Sequence, residues 1–136
     1  MLSAEQQAFV RRPYLAVLAT VGHAGGPRAV PMWYLFEGGD FLMVTRSGSQ
    51  KHRDLERRPE ATVVIDHRTR PYYALMISCT AEISGADVDL VRSRTAARYL
   101  AEPELSTYLD SRRGGDSVVI RLKPVAVAVY GDTPPS

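Results

Sequence analysis

The residues of this chain best suited to chemistry stand in one short stretch, Thr45-Arg46-Ser47-Gly48-Ser49-Gln50-Lys51-His52-Arg53. A β-forming run ends at Thr45, a polar loop follows, and Ser49 can cap a short basic helix from Gln50 to Arg58 that Pro59 ends. A helix N-terminus presents unpaired backbone N–H groups and the positive end of a dipole. Ser47 and Ser49 add hydroxyl donors, Lys51 and Arg53 add charge, and Gly48 lets the backbone come close. Hydroxyl, backbone and cationic donors together match a phosphate monoester better than a carboxylate. The same pattern also describes a polar loop opening a basic, solvated helix, and Arg53, Arg57 and Arg58 fit that description well.

Other chemistries find little here. There is no G-x-S-x-G nucleophile motif, no H-E-x-x-H, no Walker loop and no dinucleotide fingerprint. His23, His52 and His67 are scattered, without Cys or carboxylate companions at ligand spacing. The single Cys79 lies in an apolar strand-like run and reads as a small buried hydrophobe. Acid–base or metal-assisted hydrolysis is therefore not indicated. A formal net charge of +2 does not by itself predict nucleic-acid binding. Its distribution is more telling: the basic residues are mostly arginine and gather at Arg46 to Arg58 and Arg68 to Arg70, which points to an anionic ligand.

The elements that must position these residues are mainly β. Ser3 and Gln6 have capping-box spacing, so a helix is expected from about residue 3 to 12, stopped by Pro13. Tyr14–Val21, Arg28–Glu37 and Phe41–Thr45 read as a meander of three antiparallel strands. Strands at Ala61–His67 and Tyr72–Ser84 follow the basic helix, the second long enough to bend around a barrel. Asp87–Leu100 is predicted as an amphipathic helix with Val88, Leu90 and Val91 opposed to Arg92, Arg94 and Arg98, and Pro103–Ser111 as another. Ser117–Leu122 and Val125–Tyr130 are expected as two strands split by Lys123-Pro124, before a frayed tail at 132–136. With 136 residues, 45% of them hydrophobic, and no repeat or linker, a single domain over 1–136 is expected. No apolar run is long enough to span a bilayer, and MLSAEQQAFVRR lacks the order of a signal peptide, so the expected location is cytoplasmic.

Strand composition also bears on assembly. In Leu15-Ala16-Val17-Leu18-Ala19, Val63-Val64-Ile65 and Ala74-Leu75-Met76-Ile77 both faces are apolar, where a half-exposed antiparallel sheet should alternate. Two or three short helices cannot cover the outer face everywhere. A second copy of the same sheet is the simplest cover, which predicts a two-fold homodimer.

In this order the pieces resemble the pyridoxamine 5'-phosphate oxidase-like split β-barrel family, whose members bind flavin mononucleotide (FMN) or a deazaflavin. The matching pattern is LATVGHAGGPRAVPMWYLFEGGDFLMVTRSGSQKHRDLERRPEATVVID, from Leu18 to Asp66. It comprises a strand ending in Ala-Thr, a glycine-bearing turn, a proline-containing second strand, and a third strand leading into Ser-x-Lys. The likeness extends through Tyr72–Ser84 and Val118–Pro124. It implies a mainly β, six- to seven-stranded antiparallel split barrel of the FMN-binding type.

By the same resemblance Thr45, Ser49, Gln50 and Lys51 contact the cofactor phosphate, while Val30, Pro31, Met32 and Trp33 line its ring. Pro31 has no N–H to give a sheet ladder, which suits a position where a ligand interrupts the ladder. Arg70, Tyr72 and Tyr73 would close the pocket from the other subunit; for Trp33 and both tyrosines ordinary aromatic packing is the alternative. No tryptophan follows Trp33, whereas the true oxidase of pyridoxamine phosphate carries one in an arginine-rich C-terminal motif, and that activity is not expected. The short length and Gly48-Ser49-Gln50-Lys51 are more similar to the small members that use the deazaflavin coenzyme F420. The implied function is an oxidoreductase using F420 or FMN on a small unsaturated or aromatic substrate, with no catalytic dyad. In the F420 case the acidic tail would run along Arg53, Arg57 or Arg68. The alternative is a non-catalytic barrel carrying haem or flavin, with His23, His52 or His67 as iron ligands. A nucleic-acid-binding barrel ranks last, for want of interleaved aromatic and basic residues.

Overall fold

The computed structural model describes residues 1–135. Helix α1 (Ala4–Val10) opens with the predicted capping box: the Gln6 amide donates to Ser3 Oγ at 3.1 Å and the Ser3 amide to Gln6 Oε1 at 2.9 Å. Seven strands then form one antiparallel sheet: β1 (Ala16–Val21), β2 (Pro27–Met32), β3 (Leu35–Glu37), β4 (Asp40–Arg46), β5 (Glu60–His67), β6 (Tyr73–Ser84) and β7 (Ser117–Tyr130). Their spatial order is β2-β1-β5-β6-β7-β4-β3. Helix α2 (Gln50–Arg57) follows β4, and α3 (Val88–Ala96) and α4 (Glu104–Asp110) fill the connection from β6 to β7. Of the expected frayed tail, Asp132–Pro135 form neither helix nor strand, and Ser136 lies outside the described residues.

Connectivity closes this sheet into a barrel. Strands β2 and β3 lie at its two opposite edges, yet only Trp33 and Tyr34 separate them in sequence. Two residues cannot cross a flat seven-stranded sheet, so it must curl until its edges meet. The curled interior holds Leu18, Phe41, Met43, Val63, Ile65, Leu75, Ile77, Ile120 and Leu122, all essentially inaccessible to solvent. Tyr34 enters at the closure, and its buried hydroxyl donates to the Val10 carbonyl at 2.6 Å. Val10 and Phe9 of α1 belong to the same core.

This closure corrects the three-strand meander. β1–β2 and β3–β4 are separate hairpins, and the predicted run Arg28–Glu37 breaks at Trp33-Tyr34, where the chain moves from one edge to the other. Pro124 does not divide the C-terminal strand either. Cys79 pairs with Pro124 and Ser78 with Ala126, leaving Val125 as the extra residue of a bulge that absorbs the missing N–H within one continuous β7. In α3 the expected faces are partly exchanged: Leu90 is 49% exposed and Arg92 only 7%. The buried face is set by Val91, which packs with Leu42 of β4 and Val119 of β7, one helical position from Arg92.

Helix α3, with α4 beside it, therefore covers the outer face of β3, β4 and the first half of β7. The outer face of β2, β1, β5 and the strand ends paired with them has no such cover. Register places Pro31, Val17, Val64, Met76 and Ala128 in one apolar row across β2, β1, β5, β6 and β7, none of them buried.

Candidate functional site

Strand β3 pairs only with Asp40–Leu42, so the rest of β4, Met43 to Arg46, has no strand on that side. Strand β2 is likewise unpaired on the side away from β1. Two free backbone edges thus flank a slot running from the Trp33-Tyr34 closure toward the start of α2. One end of the slot opens into a cleft of about 360 Å³ lined by Thr20, Arg28, Ala29, Val30, Gln50, Lys51 and Asp54. At the other end Pro31, Met32 and Trp33 face Val44 across a cleft of about 190 Å³ that α3 and α4 border.

The loop before α2 brings three of the predicted donors together. Gly48 takes φ +78°, a left-handed conformation that an L residue would adopt only under strain. Its amide donates to His52 Nδ1 at 2.9 Å, and Ser49 Oγ accepts from the His52 amide at 3.4 Å, so the helix is capped as predicted. Thr45 Oγ1 and Ser49 Oγ lie 2.9 Å apart, and Lys51 Nζ donates to Thr45 Oγ1 at 3.4 Å. One threonine, one serine and one lysine from strand, loop and helix thereby converge.

A buried carboxylate organises the adjoining cation. Asp54 is fully enclosed and accepts from Thr20 Oγ1 at 3.0 Å, Gln50 Nε2 at 2.9 Å and Arg28 Nε at 3.2 Å. Arg28 keeps about half of its side chain exposed, so its guanidinium edge is aimed into the cleft and still accessible. Arg28, Thr20 and Asp54 were not singled out from the sequence. A signal existed: Arg28 is two residues from Val30 and shares its face of the strand, and Asp54 is the carboxylate one turn after Gln50.

The remaining predicted residues divide. Val30 and Met32 pack inward against the core, while Pro31 faces outward opposite Val17. Trp33 stacks on Tyr99 with ring centroids 4.9 Å apart and planes 7° from parallel, so it is both an aromatic packing residue and a wall of the cleft. Ser47 donates its amide to the Asp116 carbonyl and lines neither end of the slot. Arg53 reaches the site only through Gln50 Oε1, at 2.9 Å. Arg70 and Tyr72 are exposed in the β5–β6 connection, apart from the slot. Tyr73 takes the aromatic-packing alternative within its own chain: the residue is 4% exposed and its ring packs edge-on against Phe9 at 4.8 Å, as part of the core. Burial, with a smaller contribution from Glu5, raises its hydroxyl pKa.

The histidines are engaged elsewhere. His52 accepts at Nδ1 from Gly48 and pairs through Nε2 with Glu56 at 2.5 Å, leaving no free ring nitrogen. His67 Nδ1 lies 3.2 Å from the Pro71 carbonyl, and His23 is exposed in a turn. Among the described residues no three His, Cys, Asp or Glu side chains group as a metal site. Cys79 is buried, and desolvation, aided by Asp40, pushes its thiol up to about 12, as an inert core residue requires.

The family model described as pyridoxamine 5'-phosphate oxidase matches residues 2–131. The chain belongs to this family. Solved structures agree on its split-barrel fold. The conserved hypothetical protein Rv2991 of Mycobacterium tuberculosis is 24% identical, with 96% of this chain and 85% of that one aligned at a TM-score of 0.82. An F420 reductase is 22% identical, with 94% and 98% aligned at 0.76. HutZ, the haem storage protein of Vibrio cholerae, is 17% identical, with 96% and 94% aligned at 0.71. No curated protein matches the sequence. Among the described residues no helix is long and apolar enough to cross a membrane.

Proposed function

We propose that this protein is a homodimeric oxidoreductase that holds coenzyme F420 or FMN and acts on a small unsaturated or aromatic substrate. One observation carries the reading: Arg28 and Lys51, the latter in contact with the Thr45–Ser49 hydroxyl pair, line a cleft at one end of a slot between two unpaired strand edges. The donor set fits a phosphate, because two cations, two hydroxyls and the first amides of α2 converge there. The slot fits a flat heterocycle, whose ring nitrogens and oxygens would meet backbone N–H and C=O groups that lack strand partners.

The protein's contribution is then to bind and orient. Lys51 and Arg28 hold the phosphate, Asp54 keeps Arg28 in place, and Val30, Pro31, Met32 and Trp33 fix the ring and exclude water. When bound, the flavin or deazaflavin supplies the two-electron redox chemistry, so no catalytic dyad is needed. The missing C-terminal tryptophan keeps the proposal away from pyridoxamine phosphate as substrate. The bare apolar row from Pro31 to Ala128, with Leu15, Val125 and Tyr130 exposed beside it, supports a dimer made through this face. In such a dimer Arg70 and Tyr72 of each protomer would reach toward the other's slot.

The test is titration of the purified protein separately with FMN and with F420, followed by absorbance and fluorescence. Saturable binding of one of them is expected, weakened at least roughly thirtyfold by Lys51→Ala. Lack of binding by both, or unchanged affinity in the variant, refutes the assignment. Light scattering at micromolar concentration should return twice the chain mass; a monomer mass counts against the dimer.

A further inference from the structure

Arginines accumulate on the other side of β4, where the proposed cofactor site makes no use of them. Strand alternation sends the Thr45 hydroxyl toward Ser49 and Lys51 at the start of α2 and sends Val44 and Arg46 toward α3 and α4, where Thr45 also borders the larger cleft. On that side Arg92 borders the cleft beside Trp33 and a second one of about 330 Å³ that continues from it. Arg92 is an unusual residue to bury. Its side chain is 9% exposed, and its acidic partner, Asp89 at 3.1 Å, is an 80% exposed side chain; Nη2 donates to Ser117 Oγ at 2.8 Å. A guanidinium taken out of water with one weak, solvated counterion leaves donor capacity directed into the cavity.

Further cations surround it. Arg46 and Arg112 line the larger cleft, and neither makes a salt bridge among the described residues. Arg112 lies over the Tyr108 ring at 3.9 Å. Arg113 also lines it but is paired with Asp110 at 3.2 Å, and Asp116 contributes one carboxylate. Aromatic and apolar side chains complete the lining: Trp33, held flat by Tyr99, with Tyr108 and Val44.

We infer that this cavity is the substrate site and that it selects a planar conjugated organic anion, stacked near Trp33 and Tyr108 with its carboxylate on Arg92 and Arg112. The inference rests on the proposed cofactor site, since the ring would lie along Pro31, Met32 and Trp33 at the mouth of this cavity. The carboxylate belongs to a substrate and not to the acidic tail of F420. That tail extends from the phosphate, and the phosphate donors Lys51 and Arg28 occupy the cleft on the α2 side of β4.

Calorimetric titration with cinnamate and its neutral isostere cinnamamide tests this, using the protein as purified and after saturation with FMN. Trp33 is the chain's one tryptophan, so its fluorescence reports the site directly. Cinnamate should bind roughly tenfold more tightly than cinnamamide, and Arg92→Gln and Arg112→Gln should each erase most of that preference without altering FMN affinity. Arg112 is exposed, so its variant keeps the test decisive even where Arg92→Gln does not fold. Equal affinities, no binding of either probe, or a preference that survives in the folded variants overturns the inference. So does displacement of cinnamate by F420 but not by FMN, which assigns the cavity to the coenzyme tail. If FMN and F420 both fail to bind while an arginine-dependent preference persists, the cofactor reading falls and takes the substrate role with it, and what remains is an anion-binding cavity.

Discussion

An arginine sits near each end of β2, Arg28 from the strand itself and Arg98 from the segment after α3, and the two have opposite surroundings. Beyond the Trp33-Tyr34 end, Arg98 donates to the carbonyls of Tyr34, Val10, Arg11 and Arg12, while its guanidinium lies 4.5 Å from the Tyr34 ring. It ties α1, the barrel closure and the segment after α3 together, and its donors are engaged by the protein itself. At the other end Arg28 meets one carboxylate, Asp54, and otherwise faces an open cleft with Lys51. A cation surrounded by backbone carbonyls is a fastening. One fixed by a single buried acid and left open on the other side keeps donors for a ligand, the role proposed above for Arg28, so a side chain's partners distinguish arginines where residue type cannot.

That contrast can be broken experimentally. The largest effect is expected for Arg98→Ala, which strips charge-assisted bonds from several carbonyls; urea denaturation should show a loss of about 3–4 kcal/mol, with cofactor affinity of the folded protein little changed. Arg28→Ala should act first on binding, with FMN or F420 affinity falling on the order of thirtyfold, or about 2 kcal/mol. Stability should fall less than in Arg98→Ala, by about 2 kcal/mol, because buried Asp54 loses its one cation but keeps Thr20 and Gln50.

Tyr34→Phe should cost about 1.5 kcal/mol at neutral pH by removing the hydroxyl bonds to Val10 and Arg12. Burial raises the Tyr34 pKa above its ordinary value of 10.0 despite the opposing effect of Arg98. A raised folded pKa means its stabilisation is complete below pH 10.0 and is lost as pH climbs beyond it, so the wild-type protein should weaken in alkali more steeply than the phenylalanine variant. Ser49→Ala should have the smallest effect, about 1 kcal/mol in the same denaturation assay for the lost helix cap. A loss of stability in Arg28→Ala as large as in Arg98→Ala would erase the distinction between the two arginines.

Several features were legible in the sequence because they depend on neighbours along the chain. The capping box at Ser3 and Gln6, the Ser49 cap, the Gly48 loop and most strand bounds are of this kind, and so was the gathering of Thr45, Ser49 and Lys51 within one strand–loop–helix junction. What was misread involved partners far along the chain. Pro124 looks like a strand breaker until β6 supplies a register in which Val125 bulges. Leu90 and Arg92 exchange their expected environments because α3 is seated through Val91. Of the two readings open to Tyr73, pocket wall and aromatic packing, Phe9 of α1 supplies the second.

The sequence by itself determined the class of structure and the location of the Ser49-capped loop, since hydrophobic period, turn glycines and helix caps act over a few residues. Tertiary structure alone decided that the barrel closes through Trp33 and Tyr34, that Arg28 joins Lys51, and that Arg92 turns inward. Those outcomes depend on how a curled sheet brings its two edges together and which helix face it accepts. Long-range packing energies set both, and no local pattern encodes them.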